Sequence, residues 1–384
     1  MAAVLVNACG SHSRTDRLAE TPAIPISGGT ALPTTRLTGD RRKMKTRLVP
    51  ALAGLFCLAA GFAAPARAEA PAMPMPCGGS DLIAAMKTDD PAAYRALLRE
   101  AATMKNGKGV FWRIEAKDAG APPSYLLGTI HFADPRVHDF SPELLDALST
   151  ARAVAVESVE ALEGPMGDAG PEAAKMVELP EGQTLKDVLP PDLIEELRLA
   201  LGSRLMAFEA VERMKPWMLM QLLSYPPCEI AALIMKRPIV DQDIAERAKA
   251  AGTPLIGLES LKEQFASLDS VPMDAQVEML RGSAEMTDNI ADIHATFIEL
   301  YRRGDVGMVE AIGRTVMGDD IDMDAYRTFM EKLVDERNKR MRDRALPELE
   351  KGGLFIAVGA LHLPGDGGLI ALFRQVGYTV TRIE

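Results

Sequence analysis

Two apolar segments, far apart in the chain, run into the same Gly-x-x-His motif. They read "YLLGTIHF" at 125–132 and "FIAVGALHL" at 355–363. Short apolar runs of this kind are typical of strands that are buried on both faces of a sheet. A glycine in such a strand leaves room for a neighbouring backbone or a ligand. We therefore interpret Gly128 and Gly359 as positions of close approach, each placed three residues before a histidine.

Strand-like and helical segments alternate along the chain, which determines the predicted fold class. "RAVAVE" at 152–157 and "TPLIGLE" at 253–259 are further short strands, and helical segments separate them. This order predicts an α/β fold with a mostly parallel central sheet flanked by helices. Apolar residues at three- and four-residue spacing predict a large helical insertion at about 184–250 and a helical segment at about 261–350. We expect a single domain at 81–384.

Two more strands are predicted near the ends of this domain. "VFWRIEA" at 110–116 is separated from the first motif strand by the turn-rich "KDAGAPPS", which predicts a hairpin or two neighbouring strands. "YTVTRIE" at 378–384 predicts a closing strand.

Four of the predicted strands end in a side chain that can bind a metal or transfer a proton: His131, Glu157, Glu259 and His362. In open α/β sheets the carboxyl ends of the strands form one ligand-binding edge, so these residues are expected to converge. Two imidazoles and a carboxylate are typical ligands of a catalytic divalent metal ion. We predict that His131, His362 and Glu157 bind Mn, Zn or Co, which would activate a water molecule.

Charged residues near these strand ends are further candidates. A carboxylate buried without a partner is strongly unfavourable, so Glu157 indicates either a functional role or an ion pair. Glu259 is predicted to assist catalysis, or alternatively to cap the helix that starts near Ser260. Arg337 is predicted to bind an anionic group, with a solvated charged face as the alternative. The remaining histidines of this region, His138 and His294, are interpreted as surface or helix residues.

Several classes of function find little support in the sequence. It contains no Gly-x-Ser-x-Gly motif, and Cys228 has no local histidine, which argues against a catalytic serine or cysteine. The formal net charge of −11 would repel phosphates, so we expect no nucleic acid partner. No segment of the mature chain is apolar enough to predict a membrane span.

The N-terminal part of the sequence predicts export. From Met44 it reads "MKTRLVPALAGLFCLAAGFAAPARA", a basic start, an apolar run and an Ala-x-Ala site, which is typical of a signal peptide at 44–68. Residues 1–43 are interpreted as an untranslated or disordered leader, and 69–80 as an extended lead-in. We therefore expect a periplasmic or secreted protein.

Two cysteines, Cys77 and Cys228, remain after removal of the signal peptide. In an oxidising compartment they can form a disulfide that ties the lead-in to the helical region. Two separate thiols are the alternative.

Together these motifs resemble the TraB/GumN family, whose relatives include the Tiki-type metalloproteases. The resemblance rests on "SYLLGTIHFADPRV", "AVAVE", "KPWM", "LIGLES", "DERNKRM" and "IAVGALHLPGDGGLIALFRQVGYTV". It implies a fold similar to erythromycin esterase and ChaN, with His131, His362 and Glu157 at the family's motif positions. Arg337 and Asn338 match a similar Arg-Asn pair. Tiki-type members are membrane-tethered, so their substrate is not carried over.

The resemblance implies a metal-dependent hydrolase. Together with the predicted signal peptide it predicts an exported enzyme that acts on a peptide or envelope-derived substrate, with peptide or amide bonds as the leading class. The alternative is a non-catalytic envelope protein that binds a metal, haem or a glycan and supports polysaccharide production. The sequence predicts neither the metal's identity nor the oligomeric state.

Overall fold

The computed structural model describes residues 77–116, 120–162, 175–316 and 322–384. The predicted signal peptide at 44–68, the leader before it and residues 69–76 of the lead-in lie outside the described residues. The rest of the lead-in, 77–80, contains no helix or strand.

A six-stranded sheet lies at the centre of the described fold. Its strands are β1 (Phe111–Glu115), β2 (Ser124–Thr129), β3 (Ala153–Val156), β4 (Leu255–Gly257), β5 (Leu354–Gly359) and β6 (Thr379–Arg382). The strand order is β4-β3-β5-β2-β1-β6.

The sheet is mixed, so the prediction of a mostly parallel sheet is not confirmed. β4, β3, β5 and β2 pair in parallel, as the alternation of strands and helices predicts. β1 pairs antiparallel with β2 as a hairpin, and β6 pairs antiparallel with β1. The α/β class is confirmed, and the antiparallel pairs lie at the edge away from the predicted site.

Helices flank this sheet and form most of the remaining structure. The first half contains α1 (Leu82–Asp89), α2 (Pro91–Thr103), α3 (Pro142–Ser149), α4 (Val159–Leu162), α5 (Leu185–Val188), α6 (Pro191–Gly202), α7 (Pro216–Leu223) and α8 (Pro227–Ile234). The second half contains α9 (Val240–Ala250), α10 (Leu261–Asp269), α11 (Met273–Glu285), α12 (Ile290–Arg302), α13 (Val306–Val316), α14 (Met323–Met330), α15 (Glu336–Leu349) and α16 (Leu369–Gln375).

The helical content predicted at 261–350 is present in the described residues, and a π-helical turn at Glu331–Asp335 joins α14 to α15. Such turns are frequent beside functional sites, and this one ends two residues before Arg337. The predicted helical region at 184–250 contains α5 to α9, but its status as an insertion stays a prediction. Within the described residues, no helix is both long and apolar enough to cross a membrane.

Alternate residues of the central strands bury the two faces of the sheet. On one face the strand side chains pack with α15 and α16, in a cluster that includes Leu126, Ala155, Ile356, Val358, Met341 and Phe373. On the other face they pack with α3, α9 and α12, in a cluster that includes Leu127, Val154, Phe355, Leu144, Ile244 and Ile298. This two-sided burial explains why the motif strands are apolar without interruption.

The register of the parallel strands brings the predicted functional residues to one edge. Thr129 of β2 lies opposite Gly359 of β5, and Val156 of β3 lies opposite Ala357. Each candidate side chain follows its strand by one to three residues. Because the strands are parallel and nearly level, these side chains come together at the carboxyl edge.

Candidate metal centre

Three predicted ligands surround the space that Gly359 leaves by having no side chain. A Cβ atom built on Gly359 would lie 3.1 Å from Glu157 Oε1, 3.5 Å from His131 Nε2 and 3.6 Å from His362 Cδ2. His362 Nε2 lies 3.6 Å from Glu157 Oε1. The structure therefore brings His131, Glu157 and His362 together, although the sequence separation of the two histidines is 231.

The glycine of the first motif has a different surrounding. A Cβ atom on Gly128 would lie 2.9 Å from Ala360 Cα and 2.9 Å from Leu363 Cδ2. Gly128 thus allows the turn after β5 to pack directly against β2. The two motifs share a sequence pattern, but only Gly359 faces the candidate ligands.

The orientation of His362 is determined by Asn338 on α15. The Asn338 side chain donates from Nδ2 to the carbonyl of Gly367 at 2.9 Å, which leaves its Oδ1 as an acceptor for His362 Nδ1 at 2.7 Å. Nδ1 of His362 therefore carries the proton, and Nε2 carries a lone pair. Burial, followed by the nearby Arg337, lowers the pKa of His362 to about 3, so the ring is neutral at pH 7.

A carboxylate orients the second histidine. Asp241, at the start of α9, accepts a hydrogen bond from His131 Nδ1 at 2.8 Å and one from the Thr129 hydroxyl at 2.7 Å. Burial lowers the pKa of His131, but the charge and hydrogen bond of Asp241 and the charge of Glu157 outweigh burial and raise it. Nε2 of His131 is the nitrogen on the side of Gly359. Metal-binding histidines commonly donate their other ring nitrogen to a carboxylate in this way, and Asp241 is that carboxylate here.

The two carboxylate oxygens of Glu157 have different partners. Oε1 accepts from the Gly359 amide at 2.7 Å, and Oε2 accepts from Arg337 at 2.8 Å and from Gln264 at 3.2 Å. Burial raises the pKa of Glu157, but Arg337, the two histidines and the Gly359 amide lower it far more. Glu157 is therefore ionised, with its Oε1 on the side of the histidines.

Glu259 and Arg337 form a buried ion pair behind Glu157. Arg337 is 3% exposed, so a solvated charged face is excluded for it. Its guanidinium donates to both glutamates and to the carbonyl of Leu333. Glu259 also accepts from Arg340 at 3.0 Å. The alternative that Glu259 caps α10 is wrong, because the Ser260 side chain accepts from the Glu263 amide in a capping box.

Two residues of this network were missed by the sequence analysis. Asp241 and Gln264 lie on helices rather than at strand ends, so no strand pattern points to them. Asp241 is the second residue of α9, where an acidic residue is also explained by the helix dipole. Asn338, which belongs to the Arg-Asn pair of the family resemblance, orients His362 through its hydrogen bond.

The predicted disulfide is present. Cys77 and Cys228 are bonded with a Cα–Cα distance of 5.7 Å and a sequence separation of 151. It ties the segment before α1 to the second residue of α8, and it excludes two separate thiols in this structure.

A second group that can hold a metal ion adjoins this disulfide. In the described part of the chain, the ligand atoms of Cys77, Asp134, Glu229 and His294 all lie within 4.8 Å of one another. The three predicted ligands around Gly359 are not part of this group. The thiolate is the form of cysteine that binds metals. Cys77 therefore cannot serve as a thiolate ligand while its disulfide with Cys228 is intact.

Of the two interpretations of His294, a helix residue is confirmed and a surface residue is wrong. His294 does lie in a helix, α12, but it is 1% exposed. Its Nε2 donates to Glu229 at 3.0 Å, and its ring packs 4.4 Å from the ring of Phe132. His138 is partly buried and bonds to Asp243 at 3.0 Å, away from the predicted ligands.

A cavity of about 410 Å³ adjoins the candidate centre. The three predicted ligands line it, together with Asp241, Gln264 and Arg337. Glu259 is not among its lining residues, so the Glu259 carboxylate lies behind the cavity wall. A cavity of this size is within the range of small-molecule and side-chain binding sites.

Comparison with known proteins identifies relatives of this chain. Metalloprotease TIKI1 of Danio rerio is 28% identical over 313 residues, covering 67% of this chain and 60% of that protein. Metalloprotease TIKI2 of Xenopus tropicalis is 28% identical over 312 residues, covering 67% of this chain and 57% of that protein. The uncharacterized protein YbaP of Escherichia coli K12 is 24% identical over 257 residues, covering 65% of this chain and 87% of that protein.

The chain spans about 60% of the length of the two metalloprotease relatives. No solved structure matches it. The model of the TraB/PrgY/gumN family matches residues 110–382, which run from the start of β1 to the end of β6 and include every predicted ligand. The chain therefore belongs to the TraB/PrgY/gumN family.

Proposed function

We propose that this protein is an exported metal-dependent hydrolase that acts on peptide or amide bonds. The observation that carries the proposal is the arrangement around Gly359. There, the ring of His362, the Nε2 atom of His131 and the Glu157 carboxylate surround a space that any Cβ atom would fill.

The donor set fits a divalent metal ion. Two neutral imidazoles and one carboxylate are the protein ligands of several catalytic zinc sites, which leave a position open for water or substrate. Asn338 and Asp241 accept hydrogen bonds from the Nδ1 atoms, so Nε2 is the nitrogen of each histidine that would bind the ion. At His131, metal binding would displace the proton that the raised pKa favours. A bound ion would lower the pKa of a bound water molecule toward neutrality and polarise a carbonyl group.

The protein's own residues prepare this site. Arg337 and the Gly359 amide keep Glu157 ionised and fix its orientation. Glu259 contacts Arg337 rather than the cavity, so we propose that Glu259 is a positioning residue. The hydrogen bonds of Arg337 likewise favour a role in positioning Glu157. The binding of an anionic substrate group by Arg337 stays a prediction.

Two further observations support the proposal. Relatives named metalloproteases match two thirds of this chain. The Cys77–Cys228 disulfide is consistent with an oxidising compartment, because such bonds are rare in cytosolic proteins. The predicted signal peptide agrees with this location and stays a prediction.

The experiment measures metal content and hydrolysis together. Protein produced by export is analysed for bound metal, then stripped, reloaded with Mn²⁺, Zn²⁺ or Co²⁺, and incubated with a peptide library. We expect about one ion per chain and cleavage that chelation abolishes. His131→Ala and His362→Ala should lose both, whereas His138→Ala, outside the centre, should retain both.

Metal binding without hydrolysis of any peptide or amide would contradict the proposal. That result would favour the alternative of a non-catalytic envelope protein that binds a metal, haem or a glycan.

A further inference from the structure

The cavity beside the candidate centre is polar only in part. The predicted ligands and their partners form one wall, whereas most of the other lining residues are apolar. The apolar wall is formed largely by residues within 286–316 and 326–334. Its side chains include Ile290, Ile293, Phe297, Val309, Phe329 and Leu333.

This apolar wall is built into the core rather than exposed as a surface patch. Ile290, Ile293 and Phe329 are 5–7% exposed, so their positions are fixed by packing on other sides. Water forms few hydrogen bonds with such a wall, and moving the apolar surface of a ligand out of water into contact with it is favourable. An apolar group would therefore bind here more favourably than a polar one.

We propose that the substrate is a peptide with a bulky hydrophobic side chain next to the bond that is cleaved. This inference rests on the proposed hydrolase function and names its substrate class. A peptide group at the polar wall would face His131, Glu157 and His362, while the adjacent side chain enters the apolar part. The continuity of the two walls in one cavity carries the argument.

Gly313 of α13 offers a direct way to change the apolar part. It lines the cavity, and a Cβ atom built on it meets no atom within 4 Å. A larger side chain at this position can therefore enter the cavity without a clash at its base. Gly202, at the end of α6, has equally open surroundings and does not line the cavity, so it provides a matched control.

The experiment compares the wild type with Gly313→Leu, Gly313→Phe and Gly202→Phe. Peptides that differ only in Ala, Leu or Phe beside the cleaved bond are used in two assays. One measures kcat/KM with the metal-loaded protein, and the other measures binding to the metal-free protein by fluorescence anisotropy. Urea unfolding checks that each variant folds.

We expect the wild type to prefer Leu or Phe over Ala by about 10-fold or more, since a single methylene in an apolar pocket already gives about 10–200-fold discrimination. Gly313→Phe should abolish this preference in both assays, and Gly313→Leu should reduce it. Metal affinity should stay unchanged in both, and Gly202→Phe should behave as the wild type.

Equal use of Ala, Leu and Phe peptides by the wild type would overturn the inference, as would an unchanged preference in folded Gly313→Phe. Competition by a fatty acid but by no peptide would indicate an acyl-chain site and would also overturn it. The binding assay separates the two proposals. If the protein binds apolar peptides preferentially but cleaves none, the proposed hydrolase function is contradicted. The proposal that a hydrophobic peptide side chain occupies the cavity is then supported.

Discussion

Asn338 Oδ1 lies 2.7 Å from His362 Nδ1 and accepts its hydrogen bond. The amide group of Asn338 cannot rotate without also losing the bond from its Nδ2 to Gly367. One side chain on α15 thus selects the protonated nitrogen of a histidine 24 residues further along the chain. The outer partner of a metal-binding histidine has the same role in known metal sites.

We predict that Asn338→Ala lowers metal affinity about 10- to 100-fold, as loss of an outer-shell partner does in other metal sites. The reason is that His362 can then rotate or protonate its other nitrogen. A competitive titration against a fluorescent chelator measures the change. Asn289→Ala is the control, because Asn289 is exposed and its side chain makes no capping hydrogen bond. Wild-type affinity in Asn338→Ala would show that Asn338 does not orient the histidine.

Arg337→Met should destabilise the fold by about 3–5 kcal/mol, since removing one partner of a buried ion pair leaves uncompensated charge. Arg337 contacts the carboxylates of both Glu157 and Glu259, which are buried or nearly so. Urea unfolding of the metal-free protein measures the change. Arg342→Met on the same helix is the matched control, and its pair with the exposed Asp343 should contribute about 0–1 kcal/mol.

A second variant tests the cause of this loss. Arg337→Met combined with Glu157→Gln removes the carboxylate charge that loses its arginine, whereas Glu259 keeps Arg340 as a partner. The double variant should therefore be more stable than Arg337→Met alone. A double variant that is less stable than the single one would contradict the charge explanation.

The strand ends of the site could be predicted from sequence because two local signals agree. An uninterrupted apolar run indicates a central strand, and a polar side chain directly after it must lie at the carboxyl edge. That reasoning gave His131, Glu157 and His362 without any knowledge of pairing. The parallel register between β2 and β5 then brings them together.

The remaining partners depend on contacts that no local pattern encodes. Asp241 contacts His131 because α9 packs on the sheet. In the sequence, an acidic residue in the first turn of a helix is already explained by the helix dipole, so it does not indicate a metal site. His294 fits a helical pattern equally well on an exposed or a buried face, and its burial depends on Glu229 and Phe132 from other elements. The place of β6 beside β1 is likewise a long-range pairing.

The two motif glycines should respond differently to alanine. In Gly128→Ala the new Cβ would meet Ala360 Cα at 2.9 Å, so the turn or the strand must shift, and we expect about 1–3 kcal/mol of destabilisation. In Gly359→Ala the Cβ would meet Glu157 Oε1 at 3.1 Å in the centre itself. We expect a loss of metal affinity there that exceeds the loss of stability.

Thermal unfolding of the metal-free variants and metal titration separate the two effects. Gly313→Ala is a control in a helix, where alanine should stabilise by about 0.5–1 kcal/mol. If Gly359→Ala bound metal as tightly as the wild type, the space beside Gly359 would not be the ligand position.

The disulfide should contribute to stability because it closes a long segment of chain. Its sequence separation is 151. A disulfide typically contributes about 2–4 kcal/mol, mainly by constraining the unfolded chain. Cys77→Ser combined with Cys228→Ser, in the protein from residue 69, should lower the free energy of unfolding by that amount. Adding a reductant should destabilise the wild type and leave the double variant unchanged. A reductant effect of equal size on both would assign the loss to another cause.

Glu263 provides a test of charge that leaves the helix cap in place. It belongs to the capping box of α10, and its carboxylate also pairs with Arg344 at 2.7 Å. The hydrogen bond from Arg344, together with the Ser260 contacts, lowers the pKa of Glu263 from 4.5 to about 2 against a smaller effect of burial. A lowered pKa means that this stabilisation is present above pH 4.5 and is lost as pH falls from 4.5 toward 2.

Glu263→Gln keeps a side chain that can complete the capping box but removes the ion pair. We expect the variant to be less stable than the wild type by about 0.5–1 kcal/mol at pH 7, a modest value because Arg344 is largely solvated. The difference should shrink between pH 4.5 and pH 2, as measured by urea unfolding across that range. Glu246→Gln, on the exposed face of α9, removes the same charge and should show a smaller change at pH 7. A difference for Glu263→Gln that stays constant down to pH 2 would show that the cap, and not the charge of Glu263, is responsible.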